Sequence, residues 1–278
     1  MAYRLMAVMM VTFLAAHSAF AQTDKSPDPQ RPFQFNKKWE IPVTAALVAW
    51  PLYGMSKVYG RDPVPEAEVM ALKISDINKF DRPIADNYDP KAAKTSDLFF
   101  YGSMGLPLVL LFDKGIRKDA GQIGLMYLET LGAFGSVYVT SAMAANRFRP
   151  YAYNPTVDIT KRTRGGARNS FFAGHPGFVA SSAFFMAQVY TAYHPQMRFK
   201  WAPYAVAGAA TVTTGLLRLK AGQHFRSDVI VGTTIGTLSG ILIPHFHRNK
   251  NYEKQKITLY PSFGEGSNGL TAVYKLGN

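Results

Sequence analysis

The chain has 278 residues, enough for one domain with a sizeable core, and no repeat divides it. It carries 31 Lys and Arg against 18 Asp and Glu, a net charge of +13, and no cysteine. Thiol and disulfide chemistry are excluded, and the charge favours anionic partners such as phosphate esters or anionic lipid headgroups. Nucleic acid is not expected as a partner, because the basic residues are scattered over several loops and form no reading motif.

In chain order, Arg4 precedes an apolar stretch from Leu5 to Phe20 that ends in Ala19-Phe20-Ala21. A basic start, a short apolar run and a small-x-small site predict a secretory signal over residues 1–21, which assigns the rest to the cell envelope. Residues 22–38, with Pro27, Pro29 and Pro32, read as an exposed leader without regular structure. Apolar segments follow at about 40–56, 97–112, 121–147, 171–193, 201–218 and 226–245, each too long for a strand and rich in Ala, Leu, Met and Gly. They predict an all-α fold, a bundle of about six core helices within residues 39–250. Residues 58–96, mixed in charge and rich in turn formers, read as a surface excursion with a helical patch near Val64–Ile74. In the tail, 251–278, alternation over Lys256–Tyr260 and Leu270–Leu276 predicts a C-terminal β-hairpin.

Segments 97–112 and 229–244 are apolar enough to cross a membrane, whereas Glu129 interrupts the third segment. An embedded bundle would have five spans, omitting 40–56. The positive-inside rule then leaves the loops at 148–170 and 218–228 on the exported side. A water-soluble periplasmic bundle is the alternative.

Three short stretches place histidines and arginines beside these segments. In Arg218-Leu219-Lys220-Ala221-Gly222-Gln223-His224-Phe225-Arg226-Ser227-Asp228, His224 and Asp228 are four apart. A helix beginning near His224 would put both on one face, so that the carboxylate accepts from one ring nitrogen and the other is free to attack. Arg218 suits bidentate phosphate binding. In Ser170-Phe171-Phe172-Ala173-Gly174-His175, Gly174 at a helix start lets an anion approach the backbone, and His175 is placed to protonate a leaving group. In Asn146-Arg147-Phe148-Arg149-Pro150, Pro150 ends a helix and turns Arg149 toward the same mouth.

Together these stretches resemble the superfamily of type 2 phosphatidic-acid phosphatases, class A acid phosphatases and vanadium haloperoxidases, whose motifs read KxxxxxxRP, PSGH and SRxxxxxHxxxD. The resemblance spans roughly residues 97–245. It implies His224 as nucleophile, Asp228 as its orienting acid, His175 as general acid, and Arg149, Arg218 and the Gly174 backbone as phosphate binders. It implies a phosphatase acting at the periplasmic face on phosphorylated lipids or small phosphate esters, working through a phosphohistidine without metal or cofactor.

The sequence departs from those motifs at Ala142, where the family has lysine, and at Phe172, Ala173 and Leu217, where it has proline, serine and serine. Loss of one charge-assisted contact costs about 1.5–3 kcal/mol, or one to two decades of rate. A basic residue of the 151–170 loop (Lys161, Arg162, Arg164 or Arg168), or Arg147, is a candidate to replace the lysine; a merely solvated loop is the alternative. The rival functions are a non-catalytic anion- or lipid-binding descendant and, further off, a vanadate-dependent haloperoxidase.

Overall fold

The computed structural model describes residues 31–250, 252, 257–264 and 267–274. The expected signal, most of the expected leader and part of the tail lie outside these residues.

Among the described residues, six long helices form the bundle: α1 (Lys37–Tyr59), α2 (Pro90–Gly105), α3 (Ala120–Ala145), α4 (Gly174–Tyr193), α5 (Ala202–Lys220) and α6 (Arg226–Phe246). The fold is all-α apart from a hairpin, β1 (Ile257–Gly264) antiparallel to β2 (Ser267–Tyr274). α2 begins earlier than its apolar stretch because Asp89 caps it, accepting from the Lys91 and Ala92 N–H groups, and Pro90 fits the first turn. A tighter 3-10 run, Leu106–Phe112, extends it, since Pro107 has no N–H to continue the α-helical ladder.

α1 runs through two prolines. Pro51 cannot donate to the Leu47 carbonyl one turn earlier, and the Ser136 hydroxyl of α3 donates to that oxygen instead, at 3.4 Å. The two helices touch closely there, with Gly132 against the Leu47 carbonyl and Gly135 against Pro51.

The tightest contact lies between α4 and α6. Gly232, Gly236 and Gly240, spaced one turn apart, face the carbonyls of Ala173, Gly177 and Ser181, also one turn apart. A Cβ at these glycines would lie 2.3, 2.0 and 2.6 Å from the respective oxygens, so only glycine lets the backbones meet. This contact sets the start of α4 against the start of α6, where the second and third motif stretches lie.

Two expectations are corrected. The 58–96 region is not merely a surface excursion: Ile77, Ile84 and Ala85 pack against Phe225, and Asp81 is fully buried. The last part of the leader is not exposed either. Phe33 is buried in the main core, Gln34 N–H donates to the His247 carbonyl at 2.9 Å, and Asn249 N–H donates to the Pro32 carbonyl at 2.8 Å. Glu129, the carboxylate within α3, pairs with His247, which also meets Glu40 of α1, each at 3.3 Å. Burial opposes a charge on His247, but the two carboxylates outweigh it and push the ring up to about 10.

Gly236→Val is expected to cost about 1–3 kcal/mol or more through overpacking against Gly177, whereas Gly124→Ala in α3, where an added Cβ meets nothing within 4 Å, should be neutral or stabilising. Melting temperatures of the two variants check the contrast; equal shifts would contradict the close approach of α4 and α6.

Candidate active site

α3 stops at Ala145 because Asn146 adopts a left-handed conformation at φ 43°, three residues before Arg149. The helix therefore ends on this cap and not on Pro150. Beyond the turn, Arg149 N–H donates to the Ala167 carbonyl at 2.8 Å, and Tyr151 N–H to the Gly222 carbonyl at 3.0 Å, which fastens the first stretch to the third. Gly222 has φ +66°, and a side chain there would collide with the Asn87 carbonyl.

Arg149 and Arg218 converge on one side chain. Arg149 Nη1 donates to Gln223 Oε1, and Arg218 Nη2 donates to the same oxygen at 3.5 Å. Arg218 is buried at 4% exposure, with Nη1 donating to Ser96 Oγ at 3.1 Å and to Asp97 Oδ1 at 3.3 Å. The Nε–H groups of both arginines are buried with no acceptor among the described residues. Donors of this kind suit an oxyanion.

His175 occupies the first turn of α4, with its Nε2 3.0 Å from the same Asp97 Oδ1 and its ring stacked on Phe100 at 4.3 Å between centroids. Gly174 lies against the Tyr138 ring, 2.9 Å from where its Cβ would be, and the N–H groups of this first turn have no intrahelical acceptor. Asp97, Ser96 and Gln223 were not foreseen as site residues. Asp97 meets partners 78 and 121 residues away in sequence, a pairing that local spacing does not reveal.

His224 is buried, and its Nδ1 lies 2.6 Å from the Ser170 carbonyl. A carbonyl only accepts, so Nδ1 carries the proton and Nε2 is the nitrogen left with a lone pair. Burial, then the charges of Arg149 and Arg218, hold the ring well below its usual pKa, so it is neutral at physiological pH.

This differs from the expected bond between Asp228 and His224. α6 starts at Arg226 with Phe225 as its cap, so His224 lies outside the helix and the four-residue spacing no longer puts both side chains on one face. Asp228 instead turns back over the helix start. Its Oδ2 accepts from Phe225 N–H at 2.8 Å and from Ser170 Oγ at 2.6 Å, and its Oδ1 from Arg147 Nη1 at 2.5 Å. It therefore acts on His224 through Ser170, whose carbonyl holds the ring.

Arg147 in turn donates to Asp81 Oδ2 at 2.8 Å and lies 4.3 Å from the Phe225 ring centre. Asp81 also accepts from the Ser227 N–H and hydroxyl at 2.9 and 2.7 Å. Burial alone would raise the Asp81 carboxyl, but the hydrogen bonds from Asn78, Ser227 and Arg147 outweigh it and hold it at about 2.

Four of the five cations expected near Ala142 are engaged elsewhere: Lys161 with Tyr88, Arg162 with the Ala152 carbonyl, Arg168 with Glu68, and Arg147 as above; the charge of the fifth, Arg164, acts on Asp158. The cation that reaches Ala142 is Arg61, from the 58–96 region. Its Nη2 donates to the Ala142 and Met143 carbonyls at 2.6 and 3.2 Å, which caps the end of α3.

Fold and site together define an all-α bundle whose helix ends gather two arginines and two histidines into a site suited to an oxyanion. The family model of the PAP2 superfamily matches residues 123–252. At the level of the family this supports a phosphatase. A solved transmembrane PAP2-type phosphatidylglycerolphosphate phosphatase from Bacillus subtilis aligns over 86% of this chain and 94% of its own, at 18% identity and a TM-score of 0.43. No curated protein matches the sequence.

Asp81→Asn should lower stability at neutral pH. Because the native carboxyl is held at about 2, below its unfolded value of 3.8, the stability it adds is complete above that value and disappears as pH falls through about 2. Chemical unfolding of wild type and variant across this range checks it: the gap should close in acid, and an undiminished gap at pH 2 would contradict an ionised, multiply bonded Asp81.

Proposed function

We propose that the protein is an envelope phosphatase that hydrolyses phosphate monoesters or lipid (pyro)phosphates through a phosphohistidine at the exported face of a membrane. The observation that carries this reading is the neutral His224, with its proton fixed on Nδ1 by the Ser170 carbonyl beside the charges of Arg149 and Arg218. A nucleophile at phosphorus needs an unprotonated nitrogen, and the phosphoryl group needs cations around it.

In the proposed first step His224 Nε2 attacks phosphorus in line, and a P–N bond forms as the P–O ester bond breaks. The leaving oxygen takes the bond electrons and a proton from His175. Arg149, Arg218 and the backbone at Gly174 hold the three non-bridging oxygens. In the second step water attacks the phosphohistidine, gives a proton to His175, and releases inorganic phosphate as the electron pair returns to Nε2.

A membrane setting is supported by two helical stretches long and apolar enough to cross one, Pro90–Phe112 and Arg226–Phe246. Their outward side chains include Leu98, Tyr101, Leu108, Phe112 and Ile230, all exposed, and Val206, Val212 and Leu216 of α5 are exposed likewise. The basic, small-x-small start of the sequence supports export. The second reading, an anion- or lipid-binding descendant without turnover, draws on Ala142 and Ala173, which remove a cation and a hydroxyl donor.

Trapping the intermediate separates the two. Acid-labile, alkali-stable phosphate should appear on the protein during turnover. His175→Ala should increase it for substrates with good leaving groups, since hydrolysis of the intermediate then slows more than its formation. His224→Ala should show neither label nor turnover. Turnover without label would point to direct attack by water, and phosphate binding without any turnover would favour the binding descendant.

A further inference from the structure

The two guanidinium groups expected to hold a phosphoryl group both donate to a single neutral acceptor, the Gln223 amide oxygen, which neither the motif pattern nor the proposed mechanism uses. Gln223 directly precedes the nucleophile and follows Gly222, whose positive φ bends the loop back toward Arg149 and Arg218. Gln223 N–H donates to the Arg218 carbonyl at 3.1 Å, so the backbone that carries this side chain is itself tied to the end of α5. An oxygen that accepts from both guanidiniums stands where their fields converge, which is where an oxygen of a bound oxyanion would stand. The buried Nε–H groups of the same arginines have no acceptor among the described residues. The protein thus satisfies part of the donor set internally and leaves part for a ligand.

We propose that Gln223 is an internal stand-in for a phosphoryl oxygen, so that substrate and product exchange with its amide for Arg149 and Arg218. This rests on the reading of the pocket as a phosphate site. The chemistry fits a residue that competes without blocking. An amide oxygen makes neutral-acceptor bonds to guanidinium, whereas a phosphate oxygen makes charge-assisted ones of roughly twice the strength, so phosphate displaces the amide. The amide nevertheless opposes the retention of phosphate, because its return to the arginines offsets part of what the departing anion loses. A carboxylate there would hold the arginines too tightly, and an apolar side chain would leave them to the product. Gln223 is in this sense a residue that sets affinity for the phosphoryl group and limits product inhibition. Any anion that takes its place bears the same cost, so it tunes affinity without choosing among esters.

The test is direct binding of inorganic phosphate by calorimetry, which does not depend on turnover, together with product inhibition where turnover is measurable. Gln223→Ala should bind phosphate roughly threefold to tenfold more tightly than wild type, the worth of the hydrogen bonding that no longer competes. Product inhibition should deepen by the same factor. Gln223→Glu, with a carboxylate between the arginines, should weaken phosphate binding about tenfold or more. Weaker binding in both variants would make Gln223 a ligand to phosphate and overturn the stand-in role, and unchanged binding in both would overturn it as well. Phosphate binding by wild type that His224→Ala retains but Arg149→Ala and Arg218→Ala abolish would uphold the pocket on which the inference rests. No phosphate binding by wild type or either Gln223 variant would overturn the pocket reading itself.

Discussion

A buried carboxylate, Asp228, holds the start of α6 and the loop before α4 in one arrangement. Its oxygens accept from the Phe225 N–H, from the Ser170 hydroxyl and from Arg147. An ion in such a place would cost several kcal/mol without partners, so the arrangement persists only with all of them present. Asp81 continues the network beyond Arg147 and on to Ser227, so that two buried carboxylates share one guanidinium. The α4–α6 glycine contact makes this geometry reachable, because the Ala173 carbonyl sits directly against Gly232 and Ala173 N–H donates to the Asp228 carbonyl at 3.0 Å.

The chemistry of the site follows from how its charges are separated. The two described carboxylates nearest the nucleophile's support, Asp81 and Asp228, are taken up by Arg147, Ser170 and Ser227, and neither contacts Arg149 or Arg218. Those two arginines therefore keep their positive field at His224, which disfavours a second proton on the ring. The tautomer is set by a backbone carbonyl, an acceptor that cannot change its charge. Asp97 is the exception: it meets both Arg218 and His175, which places a negative charge beside the proposed acid and away from the nucleophile.

Much of this bundle was legible in the sequence. The helices α3 to α6 lie close to their apolar stretches, because each is long, rich in good helix formers and closed by turn residues. The start of α2 was hidden in a charged stretch, although Asp89-Pro90 was a readable cap and first-turn pair. Arg149 and Arg218 meet at Gln223, and His175 and Arg218 meet at Asp97, but the expected bond between His224 and Asp228 does not form. That expectation required a helix starting near His224, and a shift of two residues in the boundary, to Arg226, moved the ring off the shared face. Ser170 and Asp81 had no local signal. They meet Asp228 and Ser227 across 58 and 146 residues of chain, and only packing brings them there.

The central claim is that His224 is a neutral imidazole, protonated on Nδ1 and bare at Nε2 by virtue of the Ser170 carbonyl. Nitrogen-15 NMR of histidine-labelled protein, with His224 assigned by comparison with His224→Gln, tests this most directly. His224 should show one protonated and one unprotonated ring nitrogen at neutral pH and still at the ordinary imidazole value of 6.5, with the proton on Nδ1. A His224 ring that is doubly protonated at neutral pH, or that carries its single proton on Nε2, would contradict it.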